Sequence, residues 1–249
     1  MLSKSQISLL TSLQHKKFRR EHGLFLVEGY KSISEFIDSH YHIHTLYHTP
    51  DVAPKLLKLS QKINLQEISL ADLQKVSGLK TPADAIATVK IPQFKALTHT
   101  DLENKFSLVL DGIQDPGNMG TIIRTADWFG ITNIICSDDC VEVYNPKVVQ
   151  ATMGSLARIN VLYAGLSDFI SNANLPVYGA LLNGDNIYNT NFGMEALLVM
   201  GNEGNGIRPE IQQLITKAVT IPRIGQAESL NVAIATAIIC SEAAGKSYK

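Results

Sequence analysis

The sequence predicts an α/β protein of two domains, a small N-terminal α/β sandwich followed by a domain built on a parallel sheet. Two observations predict this. Short apolar segments of strand length alternate with helical segments along most of the chain, and a polar stretch without periodicity interrupts them at residues 96–104. The 249 residues, 45% of them hydrophobic, are enough for two domains with buried cores.

The predicted N-terminal domain, residues 1–95, opens with a periodic apolar stretch ending at Leu13, which indicates a helix. A basic run, Lys16 to Arg20, follows it, and an amphipathic helix passes through Ile33 and Ile37. Strands are predicted at 24–27, 42–47, 64–68 and 86–91, and two further helices at 54–60 and 70–76.

The predicted C-terminal domain, residues 105–249, contains six apolar strand candidates with helical segments between most of them. They lie at 106–110, 133–136, 159–162, 177–181, 196–200 and 218–221. This alternation predicts a parallel sheet covered on both faces. Ligands bind such sheets outside the carboxyl ends of the strands, so we expect the chemistry in the loops 111–118, 201–206 and 222–229.

The formal net charge of −1 is the sum of two unlike parts. Residues 1–100 hold 13 Lys and Arg against 8 Asp and Glu, and residues 101–249 hold 9 against 15. The first part is therefore net +5 and the second net −6, and all seven histidines fall in the first. This asymmetry, which the net charge of the whole chain hides, predicts two domains with different functions.

Several classes of protein are excluded by motifs that the sequence lacks. No apolar run approaches the length of about 20 residues needed to cross a bilayer, and no secretory signal opens the chain, so we expect a cytoplasmic protein. Three cysteines without a CxxC predict reduced thiols. Neither GxGxxG, a P-loop nor GxSxG is present. His40, His42 and His44 alternate, but no further ligand completes a site, and we expect no metal.

Two helical segments and one glycine loop are candidates for function. The segment 118–126 looks like a helix start with Asn118 at or near the cap, and Arg124 either forms a structural ion pair or contacts an anion. Glu203 lies in a glycine loop, which is either a simple turn or a place of close approach for a ligand. The helix predicted at 230–240 is apolar nearly all round, which favours a subunit contact.

Three blocks, in this order and spacing, resemble the SpoU/TrmH branch of the SPOUT methyltransferase superfamily. They read LVLDGIQDPGNMGTIIRTADWFG at 108–130, LVMGNEGNGI at 198–207 and IPRIGQAESLNVA at 221–233. The segment 144–156 is similar to the family as well, and residues 18–29 resemble the substrate-binding domain of its ribosomal-RNA members. Arg223 and Ala233 depart from the usual pattern, at positions that could alter packing near the cofactor.

The resemblance implies methyl transfer from S-adenosylmethionine to a ribose 2′-hydroxyl of RNA, a deep trefoil knot, and a homodimer through the C-terminal domain. Ribosomal RNA is favoured as substrate because of the accessory domain. A transfer-RNA methyltransferase and a noncatalytic RNA-binding factor that retains the fold are the alternatives.

The resemblance also implies which residues form the site. The catalytic set is Asn118, Arg124, Glu203, Ser229 and Asn231. The cofactor set is Leu181, Met200, Gly201, Ile221, Ser229 and Leu230. RNA phosphates are expected to contact Lys16, Lys17, Arg19 and Arg20, whose alternative is a solvated charge run.

The implied roles leave alternatives open. Arg124 assists deprotonation of the hydroxyl, either directly or, because guanidinium is normally protonated, by holding the adjacent phosphate while the proton leaves through phosphate or water. Asn118 orients Arg124 or the ribose, and Glu203 pairs with Arg124 or binds substrate. Ser229 and Asn231 complete the wall of the site or cap the last helix.

Overall fold

The computed structural model describes residues 1–56, 63–93, 97 and 99–247. The chain forms two compact units. The first consists of the described residues of 1–93 together with 142–157, and the second of those of 94–141 and 158–249. The predicted domain bounds remain predictions: two domains at 1–95 and 105–249, with a linker at 96–104. They divide the chain once, whereas each of the two compact units is formed from two separate segments.

The N-terminal part of the first unit carries a four-stranded sheet in the order β1-β4-β2-β3. Strand β4 pairs antiparallel with β1 and β2, and β2 pairs parallel with β3. Its elements are α1 (Lys4–Ser12), α2 (Lys16–His22), β1 (Leu24–Glu28), α3 (Tyr30–Ile37), β2 (Ile43–His48), α4 (Ala53–Leu56), β3 (Leu65–Glu67), α5 (Leu70–Val76) and β4 (Ala85–Lys90). The predicted alternation of strands and helices is confirmed. The end of the helix predicted at 54–60 lies outside the described residues, and α2 was not predicted.

The remaining elements begin at residue 99 and form the second unit, apart from α8. They are α6 (His99–Leu102), β5 (Phe106–Asp111), α7 (Pro116–Trp128), β6 (Asn133–Cys136), α8 (Pro146–Thr152), β7 (Asn160–Tyr163), α9 (Leu166–Ala173), β8 (Val177–Asn186), β9 (Ala196–Gly201), α10 (Pro209–Gln212), β10 (Lys217–Thr220) and α11 (Val232–Ser247). Helix α6 falls within the predicted linker, of which residues 96 and 98 lie outside the described part of the chain.

The second unit is built on a six-stranded sheet in the order β10-β8-β9-β5-β6-β7, in which every neighbouring pair is parallel. The predicted parallel sheet is therefore confirmed. The chain runs outward from β5 through β6 to β7, and then returns to the other side of β5 to form β8, β9 and β10. The order reverses between β5 and β9, where Asp111 is paired with Gly201. At this switch point the loops after two strands diverge and leave room for a ligand.

Strand β8 leaves its partner β10 and rejoins it further along. Gly179 pairs with Ala218, but Val219 then pairs with Asp185, so residues 180–184 bulge away from β10. Gly184 permits the return, because a Cβ there would come within 2.6 Å of the backbone carbon of Ala218. Strand β8 is consequently longer than predicted, and its bulge lies beside the carboxyl end of β9.

Arg19 is buried in the first unit, which corrects its prediction as an RNA contact. Its side chain is 2% exposed and forms an ion pair with Glu142. It also donates hydrogen bonds to the carbonyl oxygens of Leu13 at 2.9 Å and Gln14 at 3.0 Å. A buried guanidinium whose donors are used internally cannot contact a phosphate. Lys16, Lys17 and Arg20 are exposed on the same helix.

No helix among the described residues has the length and apolar character needed to span a membrane.

Candidate active site

The loop that follows β9 is fixed to the end of β5 by a buried carboxylate. Asp111 is 1% exposed and accepts hydrogen bonds from the backbone N–H of Arg208 at 2.8 Å and from its Nε at 2.7 Å. These contacts raise the pKa of Arg208 above its ordinary value, chiefly through the hydrogen bond to Asp111. Neither residue was predicted, because the pair joins positions 97 residues apart.

Asn202 shapes the glycine loop from inside. Its Nδ2 donates to the carbonyl of Gly112 at 2.7 Å, and its Oδ1 accepts from the backbone N–H groups of Gly204 at 2.9 Å and Asn205 at 3.1 Å. The turn is so tight that a Cβ on Gly201 would lie 2.3 Å from the backbone carbon of Gly206. The loop 201–206 is therefore a constrained structure that requires glycine at position 201.

Three of the predicted catalytic residues form one hydrogen-bonded row. The Nδ2 of Asn231 donates to Oδ1 of Asn118 at 2.9 Å, and the Nδ2 of Asn118 donates to Oε1 of Glu203 at 2.5 Å. The Oδ1 of Asn231 accepts from the backbone N–H groups of Ala233 and Ile234, which caps α11 and sets the amide orientation. That orientation then determines which end of Asn118 faces Glu203.

Asn118 lies near the cap of α7, which is one of the two positions predicted for it. The N-cap itself is Asp115, whose Oδ1 accepts from the backbone N–H of Asn118 at 2.8 Å. Aspartate is a common capping residue, and Pro116 at the first helical position supports this start. Asn118 is therefore in the first turn, where its side chain contacts Glu203 and Asn231.

A cavity of about 710 Å³ lies beside Glu203. All six predicted cofactor residues line it, Ser229 among them. Ser229 makes no hydrogen bond within the described part of the chain and caps nothing. The cavity is also lined by Ala180 and Leu182 in the bulge of β8, which were not among the predicted cofactor residues. Leu182 lies beyond the predicted end of that strand at Leu181.

The cavity fits a small organic molecule that is partly apolar. Its volume is within the range of about 300–1,000 Å³ for small-molecule sites. Leu182, Ile224 and Leu230 line it and are 75%, 102% and 49% exposed. A cluster of exposed apolar side chains around a concave surface is typical of a ligand-binding site. The narrow glycine loop lets backbone groups approach a ligand directly.

Arg124 and Ser229 are the two predicted catalytic residues outside this row. Ser229 lines the cavity, whereas Arg124 does not. Arg124 lies elsewhere on α7. It is exposed on α7, on the stripe that also carries Thr121 and Trp128, both exposed. Among the described residues its guanidinium has no hydrogen-bond or ion-pair partner. Glu203 is bonded to Asn118 instead, so of the two expectations for Glu203 the pair with Arg124 is not formed.

A thiol lies behind the loop that follows β5. The Sγ of Cys140 accepts from the backbone N–H of Ile113 at 3.2 Å, and Ser137 accepts from the N–H of Gly112 at 2.9 Å. The pKa of Cys140 is lowered to about 7, first by its hydrogen bond with Cys136. All three cysteines are buried and unpaired as disulfides, as the sequence predicts.

Comparisons with known proteins find relatives for both parts of the chain. Residues 105–241 match the SpoU rRNA Methylase family, and residues 4–87 match the MRM3-like substrate binding domain. The 23S rRNA (guanosine(2553)-2'-O)-methyltransferase RlmP of Bacillus subtilis is 30% identical, over 91% of either chain. A structure of a TrmH-family protein from Porphyromonas gingivalis is 40% identical, with a TM-score of 0.88 over 98% of each chain. AviRb of Streptomyces viridochromogenes, crystallised with AdoMet, is 25% identical, with a TM-score of 0.86 over 99% of each chain.

Proposed function

The chain belongs to the SpoU rRNA methylase family, and on this premise we propose that it methylates a ribose 2′-hydroxyl of ribosomal RNA with S-adenosylmethionine. The observation that carries the proposal is the row Asn231, Asn118 and Glu203 beside a cavity of about 710 Å³. The cofactor supplies an electrophilic methyl group on a sulfonium. The task left to the protein is to hold the hydroxyl in line and to assist loss of its proton.

The cofactor is assigned to the cavity between the bulge of β8, the glycine loop and residues 221–230. Leu181, Met200, Ile221 and Leu230 offer apolar surface, and the backbone around Gly201 offers polar groups at close range. This mixture suits a ligand that joins an adenosine to an amino acid, because such sites combine apolar walls with a few placed polar groups.

In this proposal Glu203 receives the ribose. Its Oε1 is held by Asn118, and the carboxylate is exposed where it lines the cavity, so its second oxygen can accept a hydrogen bond from a hydroxyl. Asn118 and Asn231 are positioning residues that act through Glu203. Alignment of two reactants contributes about 7–11 kcal/mol to such reactions, which is why a rigid row matters.

Arg124 is assigned to the RNA backbone. Its exposed guanidinium can hold the phosphate next to the target ribose with two parallel hydrogen bonds. The hydroxyl proton then passes to that phosphate or to water. This assignment agrees with the position of Arg124 outside the row and needs no unprotonated guanidinium.

The N-terminal domain is assigned to substrate binding, through the exposed Lys16, Lys17 and Arg20. The match of residues 4–87 to a substrate-binding domain supports this assignment. Arg19 is excluded from it because it is buried. The trefoil knot implied by the family resemblance and the expected cytoplasmic location stay predictions.

We also infer a homodimer through the C-terminal domain. Helix α11 packs against α7, yet Ile234 on α11 is 54% exposed and Trp128 on α7 is 84% exposed. Large apolar side chains on two adjoining helices suit an interface with a second copy. Light scattering coupled to gel filtration should show a dimer for the native chain and a monomer for Ile234→Glu, and a monomeric native chain would refute the inference.

The function is tested by methylation of isolated ribosomal RNA and of transfer RNA with radiolabelled cofactor. Ribose methylation leaves label in dinucleotides that resist alkaline hydrolysis. We expect label in ribosomal RNA, and we expect Arg124→Ala to lose it while cofactor binding measured by calorimetry stays unchanged. Label in transfer RNA alone would refute ribosomal RNA as the substrate. Failure to bind the cofactor would instead favour a noncatalytic RNA-binding factor.

A further inference from the structure

Helix α2 and the residue before it present a row of aromatic rings. His15, Phe18 and His22 follow the spacing that places side chains on one stripe of a helix. The rings of Phe18 and His22 are 18° from parallel with centroids 6.5 Å apart, and the ring of His15 meets Phe18 edge-on at 6.5 Å. Both histidines are exposed, and Phe18 is partly exposed.

None of the three rings belongs to the cluster of buried apolar side chains around Leu10, Leu13 and Leu26. None of them is among the fully buried side chains of the described residues. Helix α2 is held from another side, where Arg19 forms its ion pair with Glu142. The exposed faces of these three rings are therefore accessible to a ligand.

One cation lies next to this row, and two more are exposed on the same helix. The Nζ of Lys17 lies 5.7 Å from the centroid of the Phe18 ring. Lys16 and Arg20 are exposed on the same seven-residue helix, and Glu21 is its single acidic residue. Rings beside exposed cations are the two components that proteins use for single-stranded nucleic acid, because bases stack on the rings while phosphates contact the cations.

We propose that α2 binds an unpaired stretch of the RNA substrate, with a base stacked on Phe18 and His22 and the adjoining phosphates on Lys17 and its neighbours. The proposal rests on the proposed function as an RNA methyltransferase and adds the class of RNA structure that it recognises. A base within a duplex has both faces covered by its neighbours, so only a loop, bulge or single strand can use this row.

The test uses the full chain and a single-stranded RNA of about 12 nucleotides, within the site sizes of stacking proteins, that contains 2-aminopurine. The same strand annealed to its complement is the duplex probe. We expect Phe18→Leu, which removes the ring but keeps an apolar side chain, to weaken single-strand binding by about tenfold, leave duplex binding unchanged, and abolish the quenching that stacking causes in 2-aminopurine.

Two further variants separate stacking from charge and from misfolding. Lys17→Ala should weaken binding of both the single-stranded and the duplex probe. It should also reduce the dependence of affinity on salt concentration, as loss of a phosphate contact does. His22→Asn, at an exposed position, should act in the same direction as Phe18→Leu, and Lys31→Ala, exposed on α3, should change neither probe.

Two results would overturn the proposal. In one, Phe18→Leu weakens binding of the single-stranded and duplex probes equally; in the other, it weakens neither and the quenching of 2-aminopurine is retained. These outcomes are distinct from failure of the proposed function. A chain that binds the single strand through Phe18 but does not methylate RNA supports the stacking surface and refutes the enzyme. If the native chain methylates RNA and Phe18→Leu binds the single strand normally, the enzyme is supported and the stacking surface is refuted.

Discussion

The two sides of the candidate cofactor cavity are built in opposite ways. We call residues 200–206, together with the loop 111–118 that supports them, the bonded wall, and residues 222–230 the open wall. The bonded wall is crossed by hydrogen bonds from Asn202, Asn118 and the Asp111–Arg208 pair. All residues of the open wall are exposed, and within the described part of the chain their one hydrogen bond runs from Arg223 to the carbonyl of Ala227.

This difference suggests different functions for the two walls, one that orients the reacting groups and one that covers the ligand. A wall whose polar groups are already paired needs no reorganisation when a ligand arrives, which is the property required of groups that orient a reaction. A wall whose backbone groups are exposed to water can exchange that water for a ligand and close over it. The bonded wall therefore carries the predicted catalytic carboxylate, and the open wall carries apolar side chains suited to covering a cofactor.

The largest effect is expected from breaking the bonded wall at its tightest point. In Gly201→Ala the new Cβ would lie 2.3 Å from backbone atoms of Gly206 and Ile207, which cannot yield without opening the loop. We expect a loss of about 3 kcal/mol in the free energy of unfolding, the upper end for overpacking, and loss of cofactor binding. Denaturant unfolding and titration calorimetry measure the two.

Gly204→Ala is the matched control in the same loop. A Cβ there would meet nothing closer than the Oδ1 of Asn202 at 3.5 Å, an ordinary contact. We expect near-native stability, because the added methyl group meets no protein atom closer than an ordinary contact. Equal damage from both substitutions would mean that the loop tolerates no side chain at all, and the argument from the tight turn at Gly201 would fail.

A smaller effect is expected from releasing the bonded wall at its base. Asp111→Asn removes the charge of a carboxylate that is 1% exposed and holds both the backbone and the side chain of Arg208. Hydrogen bonds to charged groups contribute about 1.5–3 kcal/mol, so we expect a loss of about 2 kcal/mol in the free energy of unfolding. Methylation should fall because the loop that carries Glu203 is no longer fixed.

The control for Asp111→Asn is Glu210→Gln. Glu210 faces the same guanidinium at 3.8 Å, but its side chain is 58% exposed, and exposed pairs contribute about 0–1 kcal/mol. Melting curves of the two variants should therefore differ clearly. If Glu210→Gln destabilises the chain as much as Asp111→Asn does, burial of Asp111 is not what holds the loop.

The comparison of the two walls also shows what the sequence could predict. The strands of both sheets were predicted within a few residues because apolar runs are a local signal, except that β8 extends to Asn186. The hydrogen bonds between Asp111 and Arg208 and between Arg19 and Glu142 join positions that are distant in sequence. Each pair lies within one compact unit, and only the folding of that unit brings the two partners together. The basic run predicts the same RNA-contacting role for Arg19 and Arg20. Because neighbouring residues of a helix face different directions, Arg19 is buried and Arg20 is exposed.

The smallest effect, and the one that addresses the open wall itself, is a change in hydrogen exchange on cofactor binding. The backbone N–H groups of residues 223–230 have no hydrogen-bond partner within the described structure, so they should exchange rapidly in the ligand-free protein. S-adenosylmethionine should slow them, whereas the amides of Gly204 and Asn205, already bonded to Asn202, should change little. Gly204→Ala supplies a second sample in which the same pattern is expected. Open-wall amides that are protected before the cofactor is added, or unchanged after it, would show that the two walls do not divide the work of orienting and covering.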